Sequence, residues 1–315
     1  MYTQKSGHIE SDDHKIYWED WGNPKMMPIF VFHGGPGGEG CDEHIKTIFN
    51  PEKQRVIFHD QRGSGKSLPF SEIKNNTTQN LIKDVELIRE HLGIEKMYIT
   101  GGSWGSALTL FYALAHPERV ERILVWSLFL ARQFEVDFVN EGFPKYFFPE
   151  AWERFISIVP EKNRKTGDDV MQYYADKIRS TDEKEARIYA DEWTLWEMSL
   201  CSVHYDPAKL EKETIGNINN VSIAKLETHY FLNKCFVSEN YILDNIEKIK
   251  HIPCVVIQGR FDFCTPPISA FDLKKAYGKN LELISVNSGH FSSDPEMSVT
   301  LKETLINFFN KDLDN

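Results

Sequence analysis

The sequence predicts an α/β fold: a mostly parallel central sheet with helices on both faces and an inserted helical region. Three observations point there. Short β-rich runs alternate with amphipathic helical patterns through the first part of the chain. The alternation stops across residues 132–239, where every segment has a helical period, and it resumes from 240 onward. A chain of 315 residues, 41% hydrophobic, is long for one simple domain but suits a single core carrying an insertion. The expected organisation is core 1–131, helical cap 132–239 and core 240–315.

In chain order, "KIYWEDW", "PIFVFH" and "RVIFHD" read as strands. "TTQNLIKDVELIREHLG" reads as a helix with Leu81, Val85, Ile88 and Leu92 on one face and Gly93 as its stop. "KMYIT" and "RILVW" are strands on either side of a helix built from Ala107, Leu108, Leu110, Phe111 and Leu114. Within the insertion, "PEAWERFISIV", "DVMQYYADKI", "ARIYADEWTLWEMSL" and "AKLETHYFLNKCF" interleave aromatic and charged residues at helical spacing. "CVVIQG", a helix around 270–277, "LELISV" and a closing helix over 297–309 complete the core.

Composition excludes several functions. With 47 acidic against 36 basic residues and a formal charge of -11, the chain has no basic stripe for nucleic acid. Five cysteines (Cys41, Cys201, Cys235, Cys254, Cys264) are an odd number without a C-x-x-C pair, so reduced thiols are expected, with neither a disulfide framework nor a metal site. No apolar leader opens the sequence and no run approaches the roughly 18 residues of a membrane span, so a cytoplasmic location and no membrane partner are expected.

The chemistry concentrates where strand "KMYIT" meets its helix. Gly101-Gly102-Ser103-Trp104-Gly105 fits G-x-S-x-G, the strained strand-to-helix turn that presents a nucleophilic serine. Glycines are needed because neighbours with a Cβ would collide in so sharp a turn. The helix N-terminus offers N–H groups, including that of Trp104, to an oxyanion. A plain glycine turn with a capping serine is the structural alternative. A serine nucleophile of this type takes an acid after a late strand and a histidine after the last one. Asp262 in "VVIQGRFDFCTPP" and His290 in "LISVNSGHFSSDPE" occupy those places. "FHGGPGG" lacks phosphate-loop spacing and is expected to bring a second oxyanion donor, Gly35. "DQRGSGKS" is expected to brace that loop, and its Asp60 and Arg62 to form an internal pair and not reactive groups.

In the insertion, Ala190, Trp193, Glu197 and Leu200 share one helical face, and Ile223, Glu227, Tyr230 and Phe231 another. A carboxylate in an apolar stripe requires a cation. A substrate ammonium and a structural arginine, Arg132 or Arg187, both satisfy that requirement.

"HGGPGG", "DQRGSGKS", "GGSWGSALTL" and "AHPERV" together resemble the proline iminopeptidase family of the α/β-hydrolase superfamily, over most of the chain. The resemblance implies an α/β-hydrolase fold and a serine aminopeptidase without cofactor, acting on small peptides with a free N-terminus and usually releasing proline. It implies that Glu197 and Glu227 hold the substrate amine and that Phe129, Phe138 and Phe231 wall a pocket for the proline ring. The chain departs from the family pattern near that pocket, with Trp126 where arginine is usual and Asp137 where tryptophan is. A small-molecule esterase or amidase and a non-catalytic binding protein are the alternatives.

Overall fold

The computed structural model describes residues 3–310. A hairpin opens the chain: β1 (Thr3–Ser11) and β2 (His14–Gly22), joined by Asp12 and Asp13 with Asp12 at φ 53°. Then come β3 (Pro28–Phe32), a single turn α1 (Glu43–Lys46), β4 (Arg55–His59), α2 (Thr78–His91), β5 (Met97–Ser103), α3 (Trp104–Ala115) and β6 (Val120–Leu128). The insertion supplies α4 (Gln133–Asn140), α5 (Pro149–Ser157), α6 (Gly167–Ile178), α7 (Glu183–Ser199), α8 (Pro207–Thr214) and α9 (Asn219–Leu232). The chain closes with α10 (Tyr241–Asp244), β7 (Cys254–Gly259), α11 (Ile268–Tyr277), β8 (Leu281–Val286) and α12 (Pro295–Phe309).

The eight strands form one sheet in the order β1-β2-β4-β3-β5-β6-β7-β8. β1 and β2 are antiparallel, as are β2 and β4; every pairing from β4 to β8 is parallel. β1 was not legible in the sequence, because "TQKSGHIES" carries one apolar residue, Ile9, and its side chains are mostly exposed on a sheet edge.

Alternation along the central strands divides the core into two layers. Phe30, Phe32, Ile99, Ile123, Val125 and Val256 face α2, α3 and α11. Ile29, Val31, Tyr98, Leu124, Val255 and Ile257 face α12 and the segment around α1. The strands are hydrophobic on both sides because helices cover both, which is why they read as continuous apolar runs. No helix among the described residues is long and apolar enough to cross a membrane.

The segment after β4 braces the core, but not through the expected pair. Asp60 accepts from the N–H groups of Gly40, Cys41 and Lys66 at 2.8, 3.0 and 2.8 Å. Arg62 reaches away from it to grip Asp84 on α2 with two bonds of 2.6 and 2.8 Å, and also meets Ser11 and Asp12 of the first hairpin. The Asp60–Arg62 expectation fails because each side chain is taken up elsewhere, Asp60 by backbone N–H groups and Arg62 by Asp84. Arg62 and Asp84 are both fully buried. Removing one partner of such a pair strands the other's charge. Arg62→Ala should therefore lower the free energy of unfolding by about 3–5 kcal/mol in urea melts; a loss below about 1 kcal/mol, the value of an exposed pair, would contradict that role.

Candidate active site

β5 ends on Ser103, and α3 begins at the next residue. Ser103 sits at φ 57°, ψ −131°, a conformation that an L-residue adopts only when its surroundings impose it. Each glycine of the motif is fixed by contact. A Cβ on Gly101 would lie 2.5 Å from the Gly105 carbonyl oxygen, one on Gly105 would lie 2.1 Å from that of Phe32, and one on Gly102 would run into the Trp126 ring at 2.1 Å. Trp126 thus backs the elbow itself. As the first residue of α3, Trp104 has an N–H with no intrahelical acceptor.

The "FHGGPGG" loop lies alongside. A Cβ on Gly34 would touch that of Ser103 at 3.4 Å, and Gly35 has φ +107°. Gln61 ties loop and elbow together: its N–H donates to His33 Nε2 at 2.9 Å, its side-chain amide donates to the His33 carbonyl at 2.9 Å, and its Oε1 accepts from Trp104 Nε1 at 2.9 Å. The brace expected from "DQRGSGKS" is therefore real and runs through Gln61. A polar side chain directly after the apolar strand "RVIFHD" is the signal that could have found it.

Asp262 and His290 meet on the loops after β7 and β8. His290 Nδ1 lies 2.9 Å from Asp262 Oδ2. The Asp262 carboxylate also accepts from the N–H groups of Cys264 and Thr265, the Thr265 hydroxyl and the Gln258 amide. These donors fix it beneath the imidazole; Gln258 and Thr265 were not anticipated. The His290 N–H donates to the Cys201 carbonyl at 2.7 Å, and the Ser127 hydroxyl donates to the His290 carbonyl at 2.7 Å. Burial works against the imidazolium, but the Asp262 charge, the neighbouring Cys201 sulfur, the hydrogen bond to Asp262 and the Glu197 charge outweigh it. Together they push His290 up from 6.5 to about 10.

Two cavities join at Ser103. One, of about 50 Å³, is walled by Trp104, Phe129, Val136, Val139, Trp193 and Phe231 among others. The other, about 260 Å³, runs past Trp126, Met198, His290 and Phe291 toward Glu39 and Asp42. Four residues line both: Gly35, Ser103, Glu197 and Glu227.

The two glutamates reach this junction from packed helices, Glu197 from α7 and Glu227 from α9. Neither arginine expected as a partner meets them: Arg132 bonds to Asp272 and Ser269, and Arg187 to the Gly216 carbonyl. Trp193 Nε1 donates to Glu227 Oε2 at 2.6 Å, while Glu227 Oε1 is buried with no fixed donor. Burial, and then the Glu197 charge, push Glu227 well above the usual carboxyl range. Burial also raises Glu197, an effect that Glu227 and the His290 charge partly offset.

The aromatic wall is only partly as expected. Phe129 and Phe231 meet edge to face at 6.0 Å and line the narrow cavity. Phe138 does not line it: it packs on Phe134 and Phe143, and Asp137 bonds to Gln133. On α4 the cavity takes the Glu135, Val136, Val139, Asn140 face, and 134, 137 and 138 fall on the opposite one. Glu135, unanticipated, is held by the N–H groups of Leu130 and Arg132 and by the Ser269 hydroxyl.

A serine on a strained elbow, an Asp-oriented histidine and two nearby backbone donors suit acyl transfer. A family model described as alpha/beta hydrolase fold matches residues 27–296. The chain is 38% identical over 298 residues to a proline iminopeptidase of Arabidopsis thaliana, covering 94% of this chain and 77% of that one. It is 38% identical over 303 residues to a proline iminopeptidase of Neisseria gonorrhoeae, covering 95% and 94%. Among solved structures, an esterase (EaEST) from Exiguobacterium antarcticum matches with a TM-score of 0.65 at 18% identity, over 97% of this chain and 100% of that one.

The raised His290 sets a sign for pH dependence. A base acts only when deprotonated, so on an uncharged aryl ester kcat/KM should fall with acidification through a midpoint above 6.5. Glu197→Gln removes a charge that favours the imidazolium and should move that midpoint to lower pH. A midpoint at or below 6.5, or one unmoved by the substitution, would contradict this electrostatic account.

Proposed function

Because the chain belongs to the proline iminopeptidase family of the α/β-hydrolase superfamily, we propose that it releases N-terminal proline from peptides through an acyl-enzyme formed on Ser103, with the 132–239 insertion acting as the cap that selects the free N-terminus. One observation carries the reading: Ser103, Gly35, Glu197 and Glu227 alone border both cavities. The attacked carbonyl of a peptide is one residue away from the amine only at the N-terminus. A nucleophile and a cation-demanding carboxyl pair at one junction therefore describe an aminopeptidase.

In this reading the proline ring enters the narrow cavity between Phe129, Phe231 and Trp193, and its ammonium meets Glu197 and Glu227. The rest of the peptide lies in the wider cavity. Ser103 Oγ attacks the carbonyl as His290 takes its proton, and the N–H groups of Trp104 and Gly35 receive the oxyanion. The tetrahedral intermediate collapses as His290 gives its proton to the departing amine. A water molecule, deprotonated by His290, then cleaves the ester and frees proline. Asp262 holds the imidazole orientation throughout. An internal segment or an acetylated terminus brings no cation, and would leave the buried carboxyl pair facing an apolar group.

Ser103→Ala should lower kcat on prolyl arylamide by on the order of 10⁴ to 10⁶ without altering the thermal unfolding curve much; a folded variant with near-normal turnover would remove Ser103 from the role. Glu197→Gln and Glu227→Gln should each lower kcat/KM on prolyl arylamide about ten- to a hundred-fold, the value of a charge-assisted hydrogen bond of roughly 1.5–3 kcal/mol. Both should spare most of the hydrolysis of a small uncharged aryl ester at its pH plateau. Equal loss on both substrates would make the glutamates structural, and N-acetylprolyl arylamide cleaved as fast as the free amine would favour the amidase reading.

A further inference from the structure

Two thiols converge on the same histidine. Cys264 lies on the loop that holds Asp262, and Cys201 lies just past the end of α7. Both are free and buried. The Cys201 thiol donates to the Glu197 carbonyl at 3.3 Å, and the Cys264 thiol lies 3.8 Å from Glu197 Oε1. The two sulfurs and a ring nitrogen of His290 all lie within 4.8 Å of one another. Cys264 borders the narrow cavity, and Cys201 and His290 border the wide one, so the cluster is reached from the substrate side.

We propose that Cys201, Cys264 and His290, with the Glu197 carboxylate beside them, form a binding site for a thiophilic divalent cation of the Zn²⁺ or Cd²⁺ class, and that its occupancy stops hydrolysis. The donor spacing suits such an ion. Tetrahedral bonds of about 2.3 Å to sulfur and about 2.0–2.1 Å to nitrogen set donor separations of roughly 3.5–3.8 Å, and the three donors already lie within 4.8 Å of one another, so shifts of about 1 Å complete the site. The donor types select it: two sulfurs and an imidazole attract zinc-like ions and not Mg²⁺ or Ca²⁺, which take oxygen ligands.

Charge balance favours occupancy as well. The neighbouring Cys201 thiol, burial and the Glu197 and Asp262 charges push the Cys264 thiol up, so an ion that takes its proton's place relieves a buried group. A divalent ion forms two metal–sulfur bonds and displaces two thiol protons to solvent, and the imidazolium proton as well where His290 carries one, so M²⁺ with two thiolates and a neutral imidazole is itself a neutral group in a buried place. Affinity should rise with pH for that reason.

The inhibitory half of the proposal rests on the function proposed above for His290. Coordination through Nδ1 would displace Asp262 from its 2.9 Å contact. Coordination through Nε2 would occupy the lone pair that takes the Ser103 proton. Either way the imidazole ceases to be a base. The three ligands lie far apart in sequence, outside any short metal-binding spacing.

The test uses the full chain, reduced and metal-free. Co²⁺ as a spectroscopic probe should bind at one ion per chain with a sulfur-to-cobalt charge-transfer band and tetrahedral d–d bands. Buffered Zn²⁺ should abolish hydrolysis of prolyl arylamide and of an uncharged aryl ester in parallel, and a chelator should restore both. Cys201→Ser and Cys264→Ser, each compared with its own metal-free rate, should raise the inhibitory Zn²⁺ concentration more than tenfold and weaken the charge-transfer band. Absence of that band would overturn the site, even if Zn²⁺ inhibits, as would inhibition equally strong in both variants. A wild-type protein that shows the band but hydrolyses neither substrate would uphold the site and sink the proposed function. Undiminished hydrolysis by the cobalt-saturated protein would overturn the inhibitory half.

Discussion

Two carboxyl groups placed against each other in an apolar wall impose the constraint on which this site depends. Burial disfavours charge on both Glu197 and Glu227 unless a cation meets them, and Arg132 and Arg187 are engaged elsewhere. Burial thus pushes both carboxyls up, the Glu197 charge pushes Glu227 further, and the pair favours a proton, or a cation in its place. It can be held in that state because α7 and α9 pack together and Trp193 pins one glutamate oxygen, so relaxation toward water is blocked. Ser103 lines the same two cavities as the pair, and in the proposed function that shared junction is what would make an α/β fold used for many acyl substrates select a chain terminus.

The core and insertion are tied together at the reacting groups. The Cys201 carbonyl, at the end of α7, accepts from the N–H groups of His290 and Phe291. The Ser222 hydroxyl on α9 donates to the Gly37 carbonyl in the loop that carries Gly35. A Cβ on Gly37 would lie 2.6 Å from the Ser222 carbonyl oxygen. The helices that present the glutamates are thus the ones that touch the histidine and oxyanion loops. Shifting them would misplace both charge recognition and proton transfer, since positioning errors of about 1 Å already slow catalysis.

Much of this was legible because the governing constraints are local. The β/α alternation, the glycines of the elbow and the order of Ser103, Asp262 and His290 are each enforced by sterics or topology over a few residues. The insertion was visible as a change from period 2 to helical period. What escaped depends on distant partners. β1 has no hydrophobic pattern because its faces are mostly exposed, and only pairing with β2 makes it a strand. Gln61, Gln258 and Thr265 are polar residues whose roles come from what folds against them. Phe138 and Asp137 sit one helical face away from the cavity, a rotation that spacing cannot resolve without knowing which side of α4 meets the core. The thiols at 201 and 264 meet only because the cap closes over the loop after β7.

The exchange of a proton for an ammonium at Glu197 and Glu227 is the central claim, and calorimetry reads it directly. Ser103→Ala, which binds without turnover, would be titrated with a prolyl dipeptide in buffers of different ionisation enthalpy at pH about 6, well below the usual α-amino range of about 7.7–8.0. The account predicts net release of close to one proton per peptide bound, lost when Glu227→Gln is added to the same protein. Binding of the free-amine peptide with no proton release, or with release unchanged by Glu227→Gln, would contradict it.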